Sequence, residues 1–206
     1  MPWAPPYVTT AQLRAYLRIS DVVDDAEIAL AVESASRAID HAANRQFGLV
    51  AATEAREYTA RFDRGLQRWV TDIDDLANTT GLVVESDNDD DGIYGDDTWV
   101  LDTDYTLHPP NALDRPWTLV VFRHKADRPT TNPQGIRVTG NFGWSAVPRT
   151  IEQVTLLQAS RIFTRRNSPY GISGSPDLGG ELRLLARVDP DVEVALRPYR
   201  RVWGAV

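Results

Sequence analysis

A chain of 206 residues is long enough to bury one good core or two small ones without covalent or metal staples. It has no cysteine, which excludes thiol catalysis, zinc–thiolate centres and a disulfide framework, and fits assembly in a reducing cytosol. The formal net charge of −7 is unevenly placed, because twelve acids and no lysine or arginine lie between Asp72 and Asp104, leaving the rest of the chain at +5.

The basic residues are scattered through the helical ends and gather on no single face, which argues against a dedicated nucleic-acid binder. They are nearly all arginine, with Lys125 the single lysine. Arginine's planar fork suits protein interfaces, although a GC-rich genome produces the same bias. The opening Met1-Pro2-Trp3-Ala4-Pro5-Pro6 has no basic or apolar run, and no stretch approaches the roughly 20 apolar residues of a membrane span. The expectation is a soluble, unprocessed protein with no membrane contact.

In chain order, Thr9-Thr10-Ala11-Gln12 offers a capping box, and Leu13, Tyr16 and Leu17 follow at helical spacing, predicting a short helix to about Ile19. Asp24, Asp25 and Glu27 then place negative charge at the start of a second helix. Its apolar stripe is Ile28, Val32, Ala35, Ile39 and Ala42, its solvated face holds Glu33, Ser34, Arg37 and Asp40, and Gly48 is its expected stop.

From Leu49 to about Trp144 the pattern becomes β-branched and aromatic: Glu57–Phe62, Gly81–Glu85, Trp99–Leu101, Trp117–Phe122 and Gly135–Gly140 read as strands. Turn clusters such as His108-Pro109-Pro110-Asn111 separate them and indicate an antiparallel meander or small barrel. Pro148 suits the first turn of a third helix running to about Arg166. Ile151, Val154, Leu156, Leu157, Ala159, Ile162 and Phe163 surround most of that helix, which is either central to its own domain or covered on one side by a second subunit. Ser168–Gly180 reads as a loop, Glu181–Val188 as a short helix, and Asp189-Pro190-Asp191 as the start of another. Tyr199-Arg200-Arg201-Val202-Trp203 closes the chain with residue types that dominate binding hot spots, either as a partner anchor or as a self-packed end.

The sharpest local motif is Asp87-Asn88-Asp89-Asp90-Asp91-Gly92. Asp87, Asp89 and Asp91 hold the first, third and fifth positions of a calcium-type loop, with the Ile93 carbonyl as a further oxygen donor. The twelfth position is Thr98 and not a bidentate Glu, so the alternatives are a weaker, hairpin-borne calcium site or an acidic turn with no metal. No cofactor is required, and calcium is the one candidate ion. His41, His108 and His124 fall in three separate elements without ligand spacing; His41 reads as a packed or solvated helix residue. There is no G-x-S-x-G, phosphate-cradling glycine loop or H-E-x-x-H, and the acid-rich segment reads as solvated, so the chain is not expected to be an enzyme.

Three stretches, in this order, resemble the head-tail connector (adaptor, or head completion) proteins of long-tailed bacteriophages. They are Val8–Leu17 with the Asp24-Asp25 helix and Asn44–Gly48; Val138–Trp144 with Val147-Pro148 and Arg165–Gly171; and Asp189–Asp191 with Pro198–Arg201. The Asp-x-Asp-x-Asp-Gly turn and Asp104–Leu107 are similar to the β insertion of the actinobacterial-phage branch. The resemblance implies an α+β fold: N-terminal helices over 1–48, an inserted antiparallel β region over 49–146, a core helix over 147–167, and a loop with a portal-binding tail over 168–206. It also implies a virion protein, made in the host cytoplasm, that forms a dodecameric ring with itself below the portal protein. Such a ring would meet the next tail-side connector protein and pass DNA through its lumen without reading its sequence. Arg165, Arg166, Tyr199, Arg200, Arg201 and Trp203 are the residues the resemblance assigns to the portal or subunit interface. The rival is a calcium-binding β module acting in adhesion or carbohydrate recognition.

Overall fold

The computed structural model describes residues 5–110, 115–124, 126, 128–165, 172–173, 182–183 and 190–201. The Thr9 hydroxyl accepts from the Gln12 amide at 3.2 Å and the Gln12 side chain accepts from the Thr9 amide at 2.6 Å, closing the capping box that opens α1 (Thr10–Leu17). Helix α2 (Asp25–Ala43) begins after Asp24, whose side chain makes no capping hydrogen bond. Asn44 ends it, in the left-handed conformation at φ 52°, four residues before the expected stop at Gly48. Asparagine tolerates that conformation because its short amide can bond locally. Ala43, not Ala42, completes the buried stripe with Ile28, Val32, Ala35 and Ile39.

The sheet strands are β1 (Glu54–Tyr58), β2 (Ala60–Asp63), β3 (Arg68–Ser86), β4 (Thr98–Trp99), β5 (Tyr105–His108), β6 (Trp117–Phe122) and β7 (Ile136–Phe142). They form one antiparallel sheet ordered β1-β7-β3-β6-β5, with β2 and β4 also paired to β3, so it is not a meander. The run Glu57–Phe62, expected as a single strand, breaks at Thr59; its first part pairs with β7 and its second with β3. The organising strand is β3, 19 residues long, of which the sequence pattern identifies only the last part. Its first half lies between β2 and β6 and its second between β7 and β4, with register shifts between residues 72 and 83 where it changes partners. Bulges of this kind bend a strand, and here they let one strand serve both halves of the sheet.

A hydrophobic core lies in the sheet region: Ile73, Leu76 and Val84 of β3 meet Trp99, Tyr105, Val120, Phe122, Ile136, Val138 and Phe142. Each such large side chain contributes on the order of 1.5–3 kcal/mol of transfer free energy. Trp99 and Phe122 stack edge to face at 5.0 Å. β7 follows strict alternation, with Ile136, Val138, Gly140 and Phe142 buried. Two glycines here are sites of close approach: a Cβ at Gly140 of β7 would stand 2.7 Å from Leu76 Cδ1, and one at Gly143, just after the strand and at φ +115°, would stand 2.0 Å from the Gly48 carbonyl oxygen.

After the sheet come α3 (Arg149–Arg165), a two-residue antiparallel pair β8 (Ile172–Ser173) and β9 (Leu182–Arg183), α4 (Pro190–Leu196) and a 3₁₀ turn over Arg197–Tyr199. Leu182 and Arg183 are therefore extended, not helical as the Glu181–Val188 reading expected; most of the 168–189 stretch lies outside the described residues. Helix α3 packs against α1, α2 and α4, and Gln153 and Thr164 are its exposed residues between 151 and 165. Its all-round apolar character thus comes from a central place among the helices of its own chain. Ala159 and Phe163 join Val8, Leu13, Ile28, Ala31, Val32 and Ala35 in that helical core.

The fold is α+β, with four helices and a seven-stranded antiparallel sheet among the described residues. The chain divides into two compact units, Gly48–Ala146 carrying the sheet and Pro5–Phe47 with Val147–Val206 carrying the helices. No helix among the described residues is long and apolar enough to cross a membrane.

Candidate functional site

The acidic segment is two different things. Its strand-borne part is neutralised by the sheet: Arg61 reaches Asp72 at 2.8 Å, Arg56 reaches Asp74 at 2.9 Å, and Arg137 reaches Glu85 at 2.8 Å. Arg56 also lies 4.2 Å from the Phe142 ring centroid, and the Tyr58 hydroxyl donates to Asp74 at 3.1 Å. Burial, and then the nearby Asp74 carboxylate, push the Tyr58 phenol above its ordinary range. Asp75, 5 % exposed, accepts from the Trp144 indole Nε1 at 2.9 Å. The expectation of a uniformly solvated acidic segment is thereby corrected. Its arginine partners come from the neighbouring strands β1, β2 and β7.

The second part is the loop 87–97, which carries six aspartates and no basic residue. Asp87, 4 % exposed, is its internal brace: its two carboxylate oxygens accept from the Asp91 amide at 3.2 Å and the Gly92 amide at 2.8 Å. Gly92 at φ +83° and Gly95 at φ +124° turn the chain back so that Asp96 accepts from the Asn88 amide at 2.7 Å. Carboxylate oxygens of Asp87, Asp89 and Asp96 consequently lie within 4.8 Å of one another. Asp91, which the motif placed in a calcium set, instead accepts the Ile93 amide at 2.7 Å, and the Ile93 side chain is 70 % exposed. Asp96 is the member the motif missed. Repulsion from Asp91, then desolvation, then repulsion from Asp96 and Asp87 raise the Asp89 carboxyl above its ordinary value.

At the other end of β3 the charge reverses. A cleft of about 510 Å³ is lined by Arg68, His108, Arg123 and His124, with Leu66 and Val121 among its apolar walls. Arg68 contacts His124 Nε2 directly. Among the described residues neither Arg68 nor Arg123 joins a salt bridge, and Leu66 is 46 % exposed. Two histidines that are separate in sequence therefore share one wall, because β5 and β6 are paired with His108 opposite Leu119 and Val121 opposite Val70 of β3. His41 stands elsewhere, exposed on α2.

The C-terminal residues assigned to an interface are bound first to their own chain. The Tyr199 ring packs edge-on against Phe47 at 5.7 Å, Arg45 donates to the Tyr199 carbonyl at 3.1 Å, and the Arg201 amide donates to the Ala43 carbonyl at 2.8 Å. Asn44 donates to the Arg201 carbonyl at 3.3 Å. The Arg201 amide thereby satisfies a carbonyl at the C-terminal end of α2, where carbonyls lack helical partners. Arg200 is exposed, and Arg165 is half-buried at the end of α3. Arg166 and Trp203 lie outside the described residues. Phe47, 0 % exposed, also meets Tyr7 at 5.9 Å, and the Tyr7 hydroxyl accepts from the Phe47 amide at 2.9 Å and donates to Asp40. Desolvation, and then the Asp40 charge, raise the Tyr7 phenol, and desolvation raises the Asp40 carboxyl. The face of α2 read as solvated is thus half covered at Arg37 and Asp40, which pair at 3.0 Å.

No protein-family model matches the chain, and no curated protein matches it. Solved structures do. A chain from the neck of an empty gene transfer agent (GTA) particle, computed with C6 symmetry, is similar over 100% of this chain and 96% of its own length, at 19% identity and a TM-score of 0.58. A chain from the virion of a native GTA particle is similar over 98% of this chain and 95% of its own, at 18% identity and a TM-score of 0.54. At these identities the likeness is one of fold, and it takes in the helical and sheet regions alike.

Proposed function

We propose that the chain is a structural, non-enzymatic subunit of the neck of a phage-like particle, an adaptor of the head-tail connector kind. Copies form a ring, a dodecamer by the family resemblance, that sits below the portal protein, extends the DNA channel and offers a surface to the next tail-side protein. The observation that carries this reading is the end-to-end fold likeness to a chain of a GTA particle neck, covering 100% of this chain and 96% of that one. A twelve-membered ring is compatible with the sixfold symmetry of that neck. The order of the phage-like sequence stretches supports it independently.

A structural role also fits the titratable groups. The buried carboxylates Asp75 and Asp87 are occupied by an indole and by backbone amides, a bracing use of charge. Exposed apolar residues on the helical unit, Val22 at 64 %, Val23 at 83 % and Leu30 at 64 %, supply surface that a ring neighbour or the portal can cover. The docking of Tyr199 and Arg201 on the end of α2 orients the C-terminal segment, on which Arg200 is exposed. In this role the ring carries its DNA by geometry and needs no cofactor.

The convergence of Asp87, Asp89 and Asp96 keeps a calcium-binding β module as the second reading. That reading requires calcium to raise the melting temperature of a chain that does not self-assemble. Gold-labelled antibody against the chain, applied to intact particles, tests the first: label at the head–tail junction is expected, and label confined to tail tips or fibres would contradict it.

A further inference from the structure

We propose that the basic cleft of the sheet unit receives the acidic 87–97 loop of a second copy, making a head-to-tail contact around the ring. The inference rests on the ring reading and names the two surfaces that close it. The cleft presents the cations Arg68 and Arg123, with His108 and His124 beside them, over the apolar Leu66 and Val121. The loop presents the opposite: six aspartates around the exposed apolar side chain of Ile93. Charge and apolar surface therefore match on both counts. Among the described residues no cation pairs with the loop's carboxylates, and none of the four basic residues of the cleft pairs with an acid.

The two surfaces belong to opposite ends of one strand. Arg68 is the first residue of β3 and Ser86 its last, with Asp87 immediately following. Among the described residues the loop's hydrogen bonds to the rest of the chain run to Glu57, Ser86, Asn132, Gln134 and Gly135, and none goes to a residue of the cleft. A chain that cannot fill its own cleft can fill its neighbour's. Because the two patches differ, the contact is heterologous and generates a ring when its rotation closes. A volume of about 510 Å³ suits a loop tip, whereas a duplex lays its phosphates along an open groove. The chain's net charge of −7 also opposes DNA as the occupant.

The absence of native cysteine allows a direct test. Leu66→Cys in the cleft and Ile93→Cys on the loop, both at exposed positions, are made singly and together in the full chain and oxidised under assembling conditions. The double variant should give a ladder of disulfide-linked multimers, the two single variants mixed should give only dimers, and each single variant alone should give none. Adding Arg68→Glu with Arg123→Glu should lower the linked fraction about tenfold, the scale of two to three exposed ion pairs. Combining that variant with Asp89→Arg and Asp96→Arg on the partner copy should restore it, and circular dichroism should report an unchanged fold in each. Rings that form normally without such links would overturn this contact and leave the ring reading intact. A wild-type chain that never self-associates, even with its portal, would overturn both. Duplex DNA that shields Leu66→Cys from alkylation when a second copy does not would assign the cleft to phosphate and refute the proposal.

Discussion

Gly143→Ala probes the joint that ends β7. The new Cβ would stand 2.0 Å from the Gly48 carbonyl oxygen at a residue with φ +115°, so it meets backbone and strain together. A non-glycine residue in a sparsely populated conformation costs about 1–3 kcal/mol. Relief by movement is blocked on both sides. The Gly143 amide donates to the Asp75 carbonyl at 2.6 Å, and the Val50 amide, two residues after Gly48, donates to the Phe142 carbonyl at 2.9 Å. Losing these two bonds adds about 0.5–1.5 kcal/mol each, for a total destabilisation of about 2–6 kcal/mol. Gly81→Ala is the control: φ is +67° but nothing lies within 4 Å, so only the left-handed conformation is penalised, by about 1–2 kcal/mol. Urea unfolding followed by tryptophan fluorescence reads the right region, because Trp69, Trp99, Trp117 and Trp144 all lie in the sheet unit. A Gly143→Ala variant no less stable than Gly81→Ala would refute the close approach.

Trp144→Phe removes the indole donor from the buried Asp75 carboxylate and should cost about 1.5–3 kcal/mol by the same urea assay. Phe47→Ala should destabilise the helical unit by about 3–5 kcal/mol, read by circular dichroism at the helix band, since its ring is fully buried between Tyr7 and Tyr199. Arg200→Ala, by contrast, should shift stability by less than about 0.5 kcal/mol and weaken sedimentation with the portal. The raised Asp89 carboxyl has a definite sign: its protonated form is favoured by folding, so the repulsion is absent below the unfolded value and sets in as pH rises through the folded one. Asp89→Asn should therefore melt above the wild type at neutral pH, and the gap should close on acidification; a wild type that melts higher at neutral pH would contradict the crowded-loop geometry.

The parts of the fold that depend on neighbours in sequence were readable. The Thr9–Gln12 capping box is a four-residue signal, and the alternation of Ile136, Val138, Gly140 and Phe142 needs only one pleated face. β3 was concealed because its alternation is interrupted: Asp72, Asp74 and Asp75 look solvated until Arg61 and Arg56 of other strands and Trp144 after β7 reach them, and the register shifts spoil the period of two. The acidic loop was visible as a motif, but Asp96 joins it only through the reversal at Gly92 and Gly95. The basic cleft had no local signal at all. Arg68, His108 and Arg123 become neighbours only through the β5–β6–β3 pairing. For α3, all-round apolarity was equally compatible with a partner subunit, and only the positions of α1, α2 and α4 decide for internal packing. At the C-terminus, composition marked Tyr199 and Arg201 as contact residues without revealing that their first contact is the end of α2.

The central claim is that copies of this chain close into a ring at a particle neck. Cryo-electron microscopy of the purified protein, alone and mixed with its portal, measures this directly. The account predicts closed rings of one uniform copy number with a central opening wide enough for duplex DNA, stacked coaxially on the portal and unaffected by chelator. A chain that stays monomeric in both samples, or whose only response is to added calcium, would contradict it.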